Sequence, residues 1–505
     1  MSNVRYVLAL DQGTTSTRAI LFDSEGRPVA EDRRELPQSY PASGWVEHDP
    51  VRIRDDAVAV CRGALERAGT AADEVAALGI TNQRETTVLW ERATGRPVHP
   101  ALVWQDRRTA DLCRRLKEEG LEERVRRKTG LLLDPYFSAT KLAWLLEEVD
   151  GARAAAERGD LAFGTVDSWL LWHLTGGRVH ATDATNASRT LLFDIHSQEW
   201  DGELLEIFGV PRAVLPEVRD SDADFGRTDP ELLGASLPIT GIAGDQQAAT
   251  YGQAALEPGA VKATFGTGAF LLMNTGDEAT ASEHRLLTTV AWRRSGVTTY
   301  ALEGSVFSAG SAVQWIRDEL RLVETSGETE ALAADAQPGP GPWLVPAFTG
   351  LGAPHWDADA RGALVGLTRD AGRAEVVRAT LASVAYQTRD LVEAMAGDAG
   401  TRPTILRVDG GLARNGWAME FLADLLDLPV ERPTVTETTA RGAAFLAGAA
   451  VGFYGDDDGE DGPAARWERD ARWEPSMDAD RREELYAGWR RALRRVLTGG
   501  AGGRS

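Results

Sequence analysis

The chain has 505 residues, a formal net charge of −22, 43% apolar residues and 26% charged ones. That length exceeds a single hydrophobic core and predicts two large domains. The acidic balance, without clustered Lys and Arg to neutralise phosphates, argues against a nucleic acid partner. The two cysteines, Cys61 and Cys113, supply neither a disulfide framework nor a metal site, and no run of about 18 apolar residues is available to span a membrane.

Residues 1–5 pass directly into an apolar strand pattern over 6–10 with no leader pattern, so a reducing cytoplasm is expected. A polar turn at 11–16, containing Gly13, separates this strand from a second at 17–22. The turn 23–26 leads to a third from Pro28. A helix follows over 49–68 and a strand over 75–80. Near the middle the opening layout recurs, with a strand at 259–263, a Gly-rich turn at 264–268 and a strand at 269–274. Two such hairpins half a chain apart predict two domains of related architecture, residues 1–252 and 253–505. In the second half the patterns predict helices at 311–320 and 374–395, a strand at 404–408 and a helix at 416–426. The segment 443–454, short and rich in Ala and Gly, suits a buried helix. The acidic stretch 455–462 reads as a solvated loop. Only Lys117, Lys128, Lys141 and Lys262 are lysines, against 55 Lys plus Arg in total. A GC-rich coding bias and adaptation to a salty cytoplasm both account for that, the first more simply.

The turn 11–18 gathers backbone N–H groups and the hydroxyls of Thr14, Thr15 and Ser16 at one spot, a concavity suited to an anion. Arg18 adds a bidentate donor for phosphate. Asp11, at the strand end, would repel a bare phosphate and makes sense with Mg²⁺ between them. A strand follows rather than a helix, and GxxxxGK[ST] is absent, so this is not a P-loop. An ordinary hairpin with a polar tip has the same sequence.

Segment 241–249 sets small residues around one carboxylate, Asp245, with Gln246 beside it, at a predicted strand-to-helix turn. Asp245 either caps that helix or takes a proton from a substrate hydroxyl during phosphoryl transfer. At 79–86 a strand ends in a dense polar cluster. There Arg84 and Glu85 offer donors and acceptors to a small polyol; the alternative is a surface ion pair of little worth. Trp104, Tyr136 and Phe270 are either walls of a small pocket or ordinary core aromatic residues. In the second half Thr267 and Gly268 suit outer phosphates, and Gly310 and Gln314 a nucleoside. Gly410, Gly411 and Asn415 suit a base or ribose laid on glycine backbone. Each also fits a tight turn or helix cap. No GxSxG elbow is present, which disfavours a serine hydrolase.

Taken together, segments 9–15, 44–50, 79–87, 134–138, 185–190, 241–249, 347–354 and 408–411 resemble the glycerol kinase family, within the wider carbohydrate kinases that share the actin- and hexokinase-like fold. The motifs keep family order and span nearly the whole chain. The resemblance implies an α/β fold of two actin/ribonuclease-H-like domains, each a mixed β-sheet flanked by helices, with an active-site cleft between them. It implies phosphorylation of glycerol by ATP with Mg²⁺, the alternatives being a kinase for another polyol or sugar of the family or a nucleotide-driven switch ATPase of the same fold, and it implies a homodimer or homotetramer. It matches Arg84, Glu85, Trp104, Tyr136, Asp245, Gln246 and Phe270 to the glycerol site, Asp245 to the catalytic base, and Asp11 and Asp245 to the metal. Thr14, Thr15, Ser16, Arg18, Thr267, Gly310, Gln314, Gly411 and Asn415 match the ATP/ADP contacts. Some members carry an Arg-containing loop for fructose 1,6-bisphosphate, or a regulatory His, just before the strand that leads to the base. Here 229–238 holds two carboxylates and no Arg, and no His lies between His196 and His284, so both controls are expected to be absent or altered.

Overall fold

Two sheets of related topology organise the chain, whose computed structural model describes residues 4–337, 339, 341–457, 459 and 461–498. The first contains β1 (Tyr6–Gln12), β2 (Ser16–Phe22), β3 (Pro28–Glu35), β4 (Val75–Asn82) and β5 (Ile239–Gly244), in spatial order β5-β4-β1-β2-β3. Strands β1 to β3 form an antiparallel meander, and β4 and β5 run parallel to β1. The second contains β6 (Ala260–Phe265), β7 (Ala269–Gly276), β8 (Leu287–Arg294), β9 (Val297–Val306), β10 (Ile405–Asp409), β11 (Val430–Pro433) and β12 (Arg469–Trp473). Its order is β8-β9-β7-β6-β10-β11-β12. The antiparallel run β6-β7-β9, with β10 and β11 parallel to β6, repeats the layout of the first sheet. Strand β1 reads as an unbroken apolar run before its polar end because both faces are covered; only Tyr6 is not fully buried.

Local signals set the helix bounds. In α1 (Pro50–Ala68) the Asp49 side chain accepts from the Val51 N–H, Pro50 begins the helix, and Gly69 closes it at φ 62°. Helix α2 (Asp245–Gly252) begins where β5 ends. Then come α3 (Gly310–Asp318), α4 (Arg373–Ala399), α5 (Gly416–Leu426), α6 (Thr438–Ala450) and α7 (Ala479–Leu493). Helix α5 has the bounds its sequence predicts. Helix α4 runs on past 395 to a Gly400 cap.

Helix α6 is the buried Ala/Gly helix, and it lies against the first sheet. A Cβ on Gly442 would sit 1.8 Å from the Ala248 carbonyl oxygen, and one on Gly79 would sit 2.2 Å from that of Ala443. The small residues of 241–252 thus admit a closely packed helix. A shared core of Ala9, Ile20, Tyr251, Leu272, Ala301 and Phe445 joins the two sheets. The acidic stretch departs from the expected solvated loop. Asp457 accepts from the buried Tyr251 hydroxyl and from half-buried Arg294, which gives both donors a partner; residues 458 and 460 lie outside the described residues. No helix among the described residues is long and apolar enough to cross a membrane.

Candidate active site

The β1–β2 turn is closed by the Gly13 N–H donating to the Ser16 carbonyl at 2.9 Å, and it sets Asp11 opposite Arg18. Arg18 Nη2 donates to Asp11 Oδ2 at 2.6 Å, and Nη1 donates to Glu437, just before α6. The guanidinium is therefore already oriented by two carboxylates at the mouth of the turn. Asp11 is 6% exposed. Burial raises its carboxyl above the usual range, and the Asp245 and Glu437 charges add to that rise while Arg18 opposes it. Thr14 is held by Trp104, whose Nε1 donates to the Thr14 hydroxyl at 2.9 Å. Thr15 is exposed and Ser16 half-buried.

Arg84 and Glu85 follow the end of β4. They are 3% and 1% exposed, so the alternative of a surface ion pair falls. Glu85 stands at φ 61°, a left-handed conformation that a non-glycine residue holds only where its surroundings enforce it. Arg84 Nε lies 3.1 Å from Asp245 Oδ1 and 3.9 Å from Glu85 Oε1. The rest of its guanidinium turns elsewhere. Nη1 and Nη2 form a fork onto Glu303, and Nη1 also donates to Gln247 Oε1 at 3.2 Å. Glu85 Oε1 accepts from Arg189 Nε at 2.7 Å, and Arg189 Nη2 donates to Glu303 Oε1 at 3.0 Å. The result is a buried chain of alternating charges from Glu85 to Asp245.

Asp245 is the first residue of α2. The N-cap position falls on Gly244, and the Asp245 carboxylate accepts from the next N–H, that of Gln246, at 2.7 Å. Its side chain keeps 30% of its surface exposed, so it remains available at the cleft. Gln246 Oε1 accepts from Lys262 Nζ at 2.6 Å. The aromatic candidates do converge: the Trp104 ring lies edge-on to Tyr136 at 5.5 Å and to Phe270 at 6.3 Å. Phe270 comes from β7 of the second sheet, whereas Trp104 and Tyr136 lie in turns of the N-terminal half, so both halves of the chain supply walls.

Five of the nucleotide candidates of the second half also converge, Gly268 and Gly410 lying outside the group. Thr267, Gly310, Gln314, Gly411 and Asn415 line one cavity of about 400 Å³. Gly410 stands at φ 88°, and a Cβ there would sit 2.5 Å from the Phe265 carbonyl oxygen. A Cβ on Gly411, by contrast, meets nothing within 4 Å. Asn415 takes its cap role as well: its side chain accepts from the Ala418 N–H at 2.9 Å, and its amide donates to Thr329 at 3.0 Å.

Residues 6–252 match the N-terminal domain of the FGGY family of carbohydrate kinases, and residues 261–451 match its C-terminal domain. The chain belongs to the FGGY carbohydrate kinase family. A glycerol kinase of Alcanivorax borkumensis is 60% identical over 491 residues, covering 97% of this chain and 98% of its own. One of Ectopseudomonas mendocina is 58% identical over 496 residues, covering 98% and 100%. Among solved structures, Plasmodium falciparum glycerol kinase with ADP superposes at TM-score 0.92 with 34% identity, covering 98% of both chains. The two-domain actin- and hexokinase-like architecture follows.

Several residues of this FGGY kinase that hold the site together are ones the sequence reading does not single out. Glu303 and Arg189 complete the Arg84–Glu85 network, Glu437 holds Arg18, and Lys262 holds Gln246. Lys141 Nζ donates to the carbonyls of Pro135, Tyr136 and Phe137 at 2.6, 2.7 and 3.1 Å, fixing the turn that presents Tyr136. Burial pushes both Lys141 and Lys262 down to about 8. One signal was present: Glu303 and Lys262 are single charges inside otherwise apolar strand runs, and a charge in that position requires a partner.

Proposed function

We propose that this FGGY kinase transfers the γ-phosphoryl group of ATP to a terminal hydroxyl of glycerol, giving sn-glycerol 3-phosphate and ADP. The observation that carries the reading is Asp245. It is a partly exposed carboxylate with the Arg84 guanidinium at 3.1 Å, and it is near enough to Asp11 for the two charges to interact. In this reading Asp245 is the proton acceptor between the polar cluster of Arg84 and Glu85 and the turn that carries Asp11. The relatives named glycerol kinase support the choice of acceptor.

In this reading the glycerol hydroxyls pair with Arg84, Glu85, Tyr136 and Gln246, and its carbons lie against Trp104 and Phe270. Glu303 and Gln247 already take three Arg84 hydrogen bonds, so Arg84 offers the acceptor one Nη2 proton and the Nε proton. Asp245 accepts the proton of the attacking hydroxyl as its oxygen bonds to the γ-phosphorus. The bond from that phosphorus to the bridging oxygen breaks, and the electron pair leaves with ADP. Thr14, Thr15, Ser16 and Arg18 from one side, and Thr267 from the other, stabilise charge on the phosphoryl oxygens. Gly310, Gln314, Gly411 and Asn415 receive the nucleoside. Residues 1–252 thus carry the phosphate turn, most of the acceptor site and the base, and residues 253–505 the nucleoside side.

The donor set fits Mg²⁺. No group of three or more His, Cys, Asp and Glu among the described residues is arranged to hold a metal. Asp11 and Asp245, two mutually repelling carboxylates, would hold the ion as oxygen ligands alongside the substrate phosphates. Bound there, the ion would neutralise charge between the β- and γ-phosphates.

Phosphorus NMR of the chain with ATP, Mg²⁺ and glycerol tests the proposal. Growth of a glycerol 3-phosphate signal matched by ADP supports it. Free phosphate with no phosphomonoester marks an ATPase instead.

A further inference from the structure

The acceptor residues of the first sheet are held by two charges that arrive from the second. Glu303 on β9 is 1% exposed and Lys262 on β6 is 0% exposed. Glu303 receives the fork of Arg84, and its Oε1 also accepts from Arg189 Nη2 at 3.0 Å. Lys262 Nζ donates to Gln246 Oε1 at 2.6 Å. The two charges also attract each other, so they form one block facing Arg84 and Gln246. Glu85, at 3.9 Å, is too far from Arg84 Nε to orient it alone. With its carbonyl oxygen committed to Lys262, Gln246 presents its amide N–H₂ to the pocket. Lys262 is also one of only four lysines in an arginine-rich chain. A thin stem ending in a point donor meets a single amide oxygen, where a planar guanidinium would bring a fork of further donors needing partners.

We propose that Glu303 and Lys262 are positioning residues for the polyol acceptor. They hold Arg84 and Gln246 in the receiving geometry, so the acceptor pocket is complete only while the two sheets stand at this spacing. The inference rests on the reading of this pocket as the acceptor site. Neither residue touches the acceptor; each acts through a partner that does. Separation of the sheets removes Glu303 from Arg84 and Lys262 from Gln246 in one motion, which ties acceptor affinity to closure.

Steady-state kinetics of the full chain, with melting temperatures recorded alongside, test this in Lys262→Met, Gln246→Ala, their double variant and Glu303→Gln. Methionine keeps the length of the lysine stem without its charge, so K262M retains its packing even where E303Q melts early. The expected result is a rise of about tenfold in glycerol KM for K262M with ATP KM within about twofold. The double variant should be no worse than Q246A alone, because both changes remove one interaction. E303Q should lose about tenfold or more in kcat/KM for glycerol. Glycerol kinetics within about twofold of the parent overturn the inference. So does full additivity in the double variant, or a rise in ATP KM equal to that for glycerol. If the parent prefers another acceptor, the functional reading fails, and the same ratios taken with that acceptor still decide the inference.

Discussion

Arg84 and Glu303 stand 219 residues apart in the chain and meet in a buried pair in which the two terminal guanidinium nitrogens each donate to one carboxylate oxygen. One belongs to the loop after β4 and the other to β9, so the pair ties the two sheets together beside the proposed acceptor site. Such a pair adds little over well-packed apolar residues, but removing one member leaves a buried charge uncompensated. Replacing Arg84 with Met should therefore cost on the order of 3–5 kcal/mol in urea unfolding as well as abolishing glycerol phosphorylation. A variant as stable as the parent would show that Arg189 alone satisfies Glu303.

Asp245→Asn keeps the shape of the head of α2 and removes its proton acceptor. Single-turnover phosphoryl transfer should slow by about 10²- to 10⁴-fold, while ATP affinity, read by calorimetry, stays close to that of the parent. Near-normal transfer would remove Asp245 as the base.

Two glycines separate binding from folding. Gly411 faces open space, so Gly411→Leu should fold normally, project into the 400 Å³ cavity and raise ATP KM about tenfold or more. Gly442 has the Ala248 carbonyl 1.8 Å from where a Cβ would stand. Gly442→Ala should push α6 away from α2 and destabilise the chain by roughly 1–3 kcal/mol. Melting temperature and ATP KM, measured on both variants, should move in opposite combinations.

Acid stability offers a further check. His48 is 1% exposed, and burial pushes its pKa down to about 4 from 6.5. Between those values the unfolded chain holds the proton and the folded chain does not, so this contribution is intact above pH 6.5 and is lost as the pH falls toward 4. Asp167, raised to about 7 by burial, has the opposite sign. The difference between variant and parent isolates the histidine. On going from pH 7 to 4.5, His48→Gln should gain about 2 kcal/mol in unfolding free energy relative to the parent. An unchanged difference would mean that His48 is protonated in the fold.

The loop at 229–238 is expected to ignore fructose 1,6-bisphosphate. The arginines beside it are committed to backbone carbonyls: Arg62 donates to those of Glu231 and Leu232, and Arg227 to that of Ser236. Initial rates should be unchanged at millimolar bisphosphate; strong inhibition would show that these arginines release their carbonyls to bind it.

What the sequence made legible was local. The polar turn between two apolar strands, the small residues around Asp245 and the bounds of α5 all follow from patterns a few residues long. The recurrence of the opening hairpin, in looser form, anticipated the second sheet. What stayed hidden depends on distant partners. Arg84 and Glu85 look in sequence like a pair, yet each takes its main partner from far along the chain, in Glu303 and Arg189. Asp457 lies in a run that reads as fully solvated, and only the fold brings it to Tyr251 and Arg294. Gly442 shows its reason only when Ala248 is beside it.

Selection of glycerol as the phosphoryl acceptor is what the proposed site must deliver. The most direct measurement is ADP release with glycerol, xylulose, gluconate and no acceptor, compared as kcat/KM. Glycerol should exceed both alternatives by about a hundredfold or more, and turnover without acceptor should be near zero. Equal or greater activity with a sugar, or ATP turnover indifferent to glycerol, would contradict that selection.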